Sequence, residues 1–365
     1  MIQPKVSVII PVYNAGKFLD DCIQSLLKQT LKECEFIFVN DGSTDNSLQI
    51  VQQYSLKDKR VIVIDQENKG VSISRNNAIA IATGTYIGFM DSDDFLKQDV
   101  LESLYEVASE QDLDIVVSKT LLGRDGKYID KESVFPTNIV YDRNFINANI
   151  IPNLLKVEDL FPVWNKIYKR DLVFSNHIRF PSNRAIEEDN LFNIQAFNHS
   201  DRVMFIEYAG YYYREVATSV SRKLIEQDYF SQALEKYFFD YKKEFNLEIS
   251  VPEMEKLKSI RLMHKVFFFT YRCGTDKIKL SDKYSYIKNM IFHPKVHAIS
   301  IEYKDDVLED KGKFEHLVLS IIKNKSAVKL YLLLFLLQTC YHPKISELVR
   351  YFNNPQLKKP KVLNS

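Results

Sequence analysis

The chain is poor in cysteine, tryptophan and glycine. Its four cysteines, Cys22, Cys34, Cys273 and Cys340, form no Cys-x-x-Cys pair. That spacing argues against a disulfide framework or a thiolate metal knuckle and reads as reduced thiols packed as small hydrophobes. Charge of either sign is not in excess: 49 Lys and Arg stand against 48 Asp and Glu. No global field therefore draws the chain to nucleic acid, and no nucleic-acid partner is expected. Long apolar runs are absent too. The longest, 330–337, falls well short of the ~20 residues that cross a bilayer. The N-terminus has no signal-peptide pattern, so a cytoplasmic chain is expected. Repeats and low-complexity stretches are missing, which excludes solenoids and arrays.

What is present is a regular alternation over the first 120 or so residues. Residues 6–12 form an apolar, β-branched run and read as a strand. Helical spacing follows at 18–28, with Phe18, Cys22, Ile23, Leu26 and Leu27 on one face. Further strands are expected at 35–39, 61–64, 85–90 and 114–118, and helices at 45–54, 71–82 and 96–110. Strand–helix alternation argues an α/β fold with helices on both faces of the sheet. Ligands gather at the carboxyl ends of such strands. Three polar clusters stand at those ends: Pro11-Val12-Tyr13-Asn14, Asn40-Asp41-Gly42-Ser43 and Asp91-Ser92-Asp93-Asp94. Pro11 is expected to end the first strand and turn the chain, presenting Tyr13 and Asn14. The pattern weakens over 121–160, which reads as insertions or edge elements. Beyond about 223, helical patterns dominate, at 229–245, 253–271 and 327–341. The expected organisation is an α/β domain at 1–222 and a helical domain at 223–365.

The acidic cluster carries the most chemistry. Side chains alternate along an extended chain, so Asp91 and Asp93 can reach one ion from the same side. Hard divalent cations take oxygen ligands and often bridge a carboxylate to phosphates. The cluster reads as a Mg²⁺ or Mn²⁺ site, or as a solvated acidic turn capping the next helix. Asp41 stands where a carboxylate could accept the imide N–H of a uracil, or where an Asx-turn caps a helix. Asp45 fits the capping reading better. Arg75 can pair with phosphate oxygens or with the acidic cluster. Glu187, Glu188 and Asp189 open a helical segment; adjacent acids raise one another's pKa, which suits a proton acceptor, and acids also favour helix N-termini.

These motifs, in order, resemble the inverting family 2 glycosyltransferases of the GT-A fold, of the kind that build bacterial surface polysaccharides. They are Val8 through Asn14, Val39 through Asp45, Gly70 through Arg75-Asn76, and Asp91-Ser92-Asp93-Asp94. The likeness extends to Trp164-Asn165-Lys166, Glu188-Asp189 and Tyr211-Tyr212-Tyr213-Arg214. It implies a GT-A domain, Rossmann-like with a mostly parallel central sheet. It implies a nucleotide-diphosphate sugar as donor, UDP-linked, and a glycan or lipid-linked hydroxyl as acceptor. Pro11, Val12, Tyr13 and Asn14 would hold the base, Asp41 would read it, and Arg75 would sit by the diphosphate. Asp91 and Ser92 would lie near the ribose, Asp93 would ligate Mn²⁺ or Mg²⁺, and Asp94 would cap the next helix. Asp189 would act as base, with Glu188 orienting it or touching the acceptor. Trp164 would stack on a sugar or sit in the core. Lys166 and Arg214 would meet phosphate, Arg214 with a structural ion pair as the alternative. Two departures stand out: Asn40 replaces a common first acid, and Ala78 replaces a common glycine.

Other classes stay open on residues alone. A sugar-1-phosphate nucleotidyltransferase also binds nucleotide and Mg²⁺, but only Gly16 follows the first strand where such enzymes carry a glycine-rich loop. A non-catalytic nucleotide-binding scaffold is a third reading. His293 and His297 have zinc-pair spacing, which Pro294 between them argues against. Lys323, Lys325, Lys329 and Lys344 flank an apolar segment. It could lie at a membrane surface as a peripheral contact, form a core helix, or join two copies in a homodimer.

Overall fold

The computed structural model describes residues 3–124, 127–182, 187–214, 228–275 and 279–339. The chain divides into two compact units, Met1–Ala217 and Thr218–Pro360. The boundary expected at 222 lies outside the described residues, as do Cys340 and Lys344.

The first unit begins with four parallel strands, β1 (Val6–Val12), β2 (Cys34–Asp41), β3 (Val61–Gln66) and β4 (Tyr86–Phe89), in the order β3-β2-β1-β4. β2 is buried along its whole length, as a strand covered on both faces must be. Three crossover helices join them: α1 (Gly16–Leu27), α2 (Ser47–Ser55) and α3 (Val71–Ile81). α1 buries Leu19, Cys22, Ile23 and Leu26, one stripe at helical spacing. That stripe packs with Val6, Val8, Ile10, Phe36 and Phe38, the alternate residues of β1 and β2. The chain steps outward from β1 to β3 and then returns to β4. Right-handed crossovers therefore put α3 on the face opposite α1 and α2. Between β1 and β4 the order reverses, and a crevice opens at their carboxyl ends.

Pro11 does not end its strand. β1 runs on to Val12 against β2, while β4 stops at Phe89 opposite Ile9, so the proline falls where one neighbour is gone.

The sheet continues through the strand expected at 114–118 and through antiparallel partners that alternation did not predict. β5 (Phe95–Leu96) pairs with β10 (Arg202–Tyr213), so helix α4 (Val100–Glu110) starts later than the expected residue 96. β6 (Ile115–Arg124) lies parallel to β10 and carries the hairpin partner β7 (Lys127–Lys131). β8 (Val140–Asp142) pairs with the other end of β10. β9 (Lys166–Lys169) is wedged antiparallel between β4 and β6. The weak-pattern region thus supplies sheet elements, followed by α5 (Arg143–Phe145), a π-helical turn (Ile146–Ile150) and α6 (Ile151–Lys156). α7 (Arg170–Ser175) and α8 (Glu188–His199) complete the unit's helices among the described residues.

The second unit, in its described residues, is helical: α9 (Tyr229–Phe238), α10 (Tyr241–Phe245), α11 (Val251–Thr275), α12 (Leu280–Ile291), α13 (Pro294–Glu302), α14 (Lys304–Leu308), α15 (Lys313–Lys323) and α16 (Ala327–Thr339). Met263, Val266, Ile287, Met290, Val296 and Ile322 form its core. The helix expected over 229–245 is broken: Phe239 is extended and the Asp240 side chain accepts the Lys243 N–H to start α10. His293 is a helix cap, its ring nitrogen accepting the Lys295 N–H. α16 sends Leu330, Leu333 and Leu334 into the core. Among the described residues no helix is long and apolar enough to cross a membrane.

Candidate active site

Arg75 is the hub of the crevice. It projects from α3, its side chain is 5% exposed, and Nη1 donates to Asp189 Oδ1 at 2.6 Å. Nη1 also lies 3.5 Å from Glu188 Oε1, and Nη2 donates to Asp91 Oδ1 at 3.2 Å. The guanidinium stands 5.0 Å from the Phe180 ring centroid, which excludes water from that side. Burial opposes its charge, but Asp189, Asp91 and Glu188 outweigh burial and raise its pKa. One cation, itself 113 and 114 positions from Glu188 and Asp189, thus joins the acids after β4 to those opening α8. Glu188 and Asp189 also stand in the first turn of α8, where the helix dipole favours carboxylates. Glu187, just before them, holds a left-handed φ of 62°, a conformation that costs a non-glycine residue energy and clusters at functional sites.

The acids outnumber that cation. Burial raises the pKa of Asp91, with Asp189 and Asp93 adding to the effect against Arg75. Burial likewise raises Glu188, and Asp189 adds to it. Asp93 is raised chiefly by burial, against its own backbone N–H and the Arg214 charge, and among the described residues no ion pair holds its carboxylate. A half-buried carboxylate outside any ion pair, in an acid-rich crevice of hard oxygen donors, fits a divalent cation. No group of three or more His, Cys, Asp or Glu forms a complete metal cage among the described residues. A cation at Asp93 would take the rest of its shell from ligand oxygens and water.

Asp94 does not cap a helix. It is buried, Oδ2 accepts the Tyr211 hydroxyl at 2.7 Å, and Oδ1 accepts the Arg214 N–H at 2.7 Å. The Tyr211 oxygen in turn accepts the Asp91 N–H at 3.1 Å. This relay fixes the acidic loop to the end of β10. Asn76 does similar work beside Arg75. Its amide exchanges two hydrogen bonds with the Phe180 backbone, at 2.7 and 2.9 Å, tying α3 to the chain ahead of α8. Sequence reading missed Asp94 and Asn76 in these roles, and no local pattern signals either.

Several expected ligand contacts are occupied by the protein itself. Asp41 accepts from Gln66 and the Lys69 N–H at 2.8 Å and from the Gly70 N–H at 2.9 Å, so it orders the loop ahead of α3. Its neighbour Gly42 needs to be glycine: φ is +68°, and a Cβ would lie 2.7 Å from the Asn68 nitrogen. Asn14 Oδ1 accepts the Thr44 N–H at 2.7 Å, lacing the first loop to the second. Val12 is fully buried, whereas Tyr13 is 55% exposed and free to meet a ring. Ser92 is half-buried on the acidic loop. Asp45 accepts from Ser47 and from the Gly16 N–H, a structural part as expected. Trp164 stacks on Tyr211 at 4.4 Å and Tyr213 at 5.5 Å. Arg214 pairs with Asp21 at 3.1 Å and lies over Phe18 and Phe95, the structural alternative raised for it.

Lys166 corrects the sequence reading most clearly. It is 1% exposed, and its ammonium meets the Leu160 and Pro162 carbonyls and Asn165 Oδ1. It braces the turn into β9 and does not face a ligand.

The first unit is an open α/β sheet with an acid-rich crevice at its topological switch point, where sheets of this class gather ligands. The chain belongs to the glycosyl transferase family 2, whose model matches residues 7–189. It is 35% identical over 221 residues to the uncharacterized glycosyltransferase EpsJ of Bacillus subtilis, covering 60% of this chain and 63% of that one. It is 34% identical over 213 residues to the poly(ribitol-phosphate) beta-glucosyltransferase of Bacillus spizizenii, covering 57% of this chain and 32% of that one. The match therefore spans less than two thirds of either relative. The fold is GT-A, like that of Staphylococcus aureus TarS residues 1–349. That likeness has TM-score 0.61 at 23% identity and covers 91% of this chain and 90% of that one. TarS has also been solved with UDP and with UDP-GlcNAc.

Proposed function

We propose that the chain is an inverting glycosyltransferase. It moves a sugar from a UDP-linked donor to a hydroxyl of a growing glycan or lipid-linked precursor, in surface polysaccharide synthesis on the cytoplasmic side. Family membership supports the reaction class. The relative that glucosylates poly(ribitol phosphate) and the same-fold TarS with UDP support the acceptor and donor classes.

One observation carries the reading: Arg75 holds Asp91 and Asp189 around a single guanidinium, so a donor-side and an acceptor-side acid share one crevice. Asp93, two residues from Asp91, would hold Mn²⁺ or Mg²⁺. When bound, the cation would offset charge building on the leaving diphosphate. Tyr13 would lie against the base, and Asp41 would shape the base pocket through the loop it orders.

Asp189 takes the acceptor proton. Its Oδ1 accepts from Arg75, and Oδ2 accepts the Val163 N–H at 3.3 Å. A carboxylate has about four acceptor positions, so an incoming hydroxyl can still find one. Donor diphosphate oxygens would compete for Arg75 and loosen its hold. The hydroxyl, deprotonated as it attacks, forms the new bond at the anomeric carbon as the nucleoside diphosphate leaves from the opposite face. Glu188 lines the acceptor side.

A donor screen that reads UDP release with Mn²⁺ tests this. Turnover with a UDP-sugar that is lost in Asp93→Ala supports it. Pyrophosphate release from UTP, without UDP release from any sugar donor, would replace it with the nucleotidyltransferase reading.

A further inference from the structure

The helical unit has a cleft of its own, about 690 Å³, lined from α9, α10, α11 and α13. Lys242, Lys243, Lys258 and Lys295 stand on it against two acids, Asp240 and Glu255. Both acids are engaged. Glu255 takes Lys295 Nζ at 3.0 Å and the Tyr237 hydroxyl. Asp240 accepts the Lys243 N–H at 3.0 Å to cap α10. Lys258 donates to the Phe239 carbonyl at 3.0 Å and lies over the Tyr237 ring. Lys242 donates to the Ile249 carbonyl.

An ammonium has three N–H donors, so Lys258 and Lys242 each keep two, and the exposed Lys243 keeps all of its own. Among the described residues no carboxylate lies in ion-pair reach of these three lysines. Lys258 is partly buried, which lowers its pKa. Glu255 and Asp240 act on its charge without reaching ion-pair distance, and an anion in direct contact would offset the burial cost further. Phe238 and Val251, 66% and 67% exposed, supply an apolar wall. The break between α9 and α10 builds this site, because it frees the Phe239 carbonyl and swings Lys242 and Lys243 beside Lys258.

We propose that this cleft binds a phosphate ester, its oxygens taking the free donors of Lys242, Lys243 and Lys258 and its esterified group resting on Phe238 and Val251. A lipid headgroup and a soluble phosphate ester share that chemistry. This site goes beyond the transferase reading and does not depend on it.

The test is direct binding to the full chain. The probes are glycerol 3-phosphate and dihexanoyl phosphatidate below its micelle concentration, by calorimetry, and phosphatidylcholine–phosphatidate vesicles, by sedimentation. At least one probe binds saturably, and Lys243→Gln and Lys258→Gln each weaken it by about tenfold. Equal affinity for glycerol 3-phosphate assigns a soluble ester; binding of phosphatidate alone assigns a lipid. Lys243 is exposed, so its variant decides the matter even if Lys258→Gln fails to fold. The proposal is overturned if no probe binds, or if binding is unchanged in Lys243→Gln.

Discussion

Arg75 and Asp189 meet at 2.6 Å across the crevice, and the same guanidinium reaches Asp91 at 3.2 Å. This contact joins two sides of the site that the chain keeps far apart. Replacing Arg75 by Met leaves three carboxylates crowded without their cation. Removing one partner of a buried ion pair costs about 3–5 kcal/mol, and urea denaturation should read a loss of that size. Arg75→Lys keeps the charge but not the fork. It should fold more stably than Arg75→Met and still lose most UDP release.

The relay from the Asp91 N–H through Tyr211 to Asp94 gives a second prediction. Tyr211→Phe deletes one hydroxyl and strands both an N–H and one oxygen of a buried carboxylate. Unmet buried polar groups cost about 1–3 kcal/mol, so thermal denaturation should show that loss. UDP affinity in Mn²⁺ should fall as well, because the loop bearing Asp93 loses its anchor. Unchanged affinity would separate the relay from the donor site.

Lys166 sets up a pH test. Burial lowers its pKa from the ordinary 10.5 to about 7. Between those values the unfolded chain keeps the proton that the folded chain gives up, so folding stability rises with pH across the window and is lowest below pH 7, to within about a unit. Urea midpoints from pH 7 to 9 should climb, and Lys166→Met should flatten the climb. A wild-type chain with no slope would mean that the three oxygens around the ammonium hold its proton.

Much of the first unit was legible in the sequence because its periodicity is strong. The runs that became β1 and β2, and the Leu19-Cys22-Ile23-Leu26 stripe of α1, announce themselves by spacing alone. β9 did not: it is four residues long and begins with a buried lysine, and Lys166 read as a ligand contact. β5 was hidden inside a helical pattern because its partner, Tyr211–Tyr212, lies more than a hundred residues away. The site was legible as a set of motifs but not as a wiring diagram. That Arg75 serves both sides, or that Asp94 belongs to Tyr211, depends on pairs 114 and 117 residues apart, which no local pattern encodes. Asp41, at the end of β2, and Asn14, in the loop after β1, read as ligand contacts, and their side chains hold neighbouring loops in place.

The most direct test of the central claim is the turnover number of Asp189→Asn, by UDP release at saturating donor and acceptor, beside its affinity for UDP and Mn²⁺. A general base contributes about 10²–10⁴-fold. The account predicts a fall in that range with UDP and Mn²⁺ binding intact. Turnover near that of the wild type would contradict it.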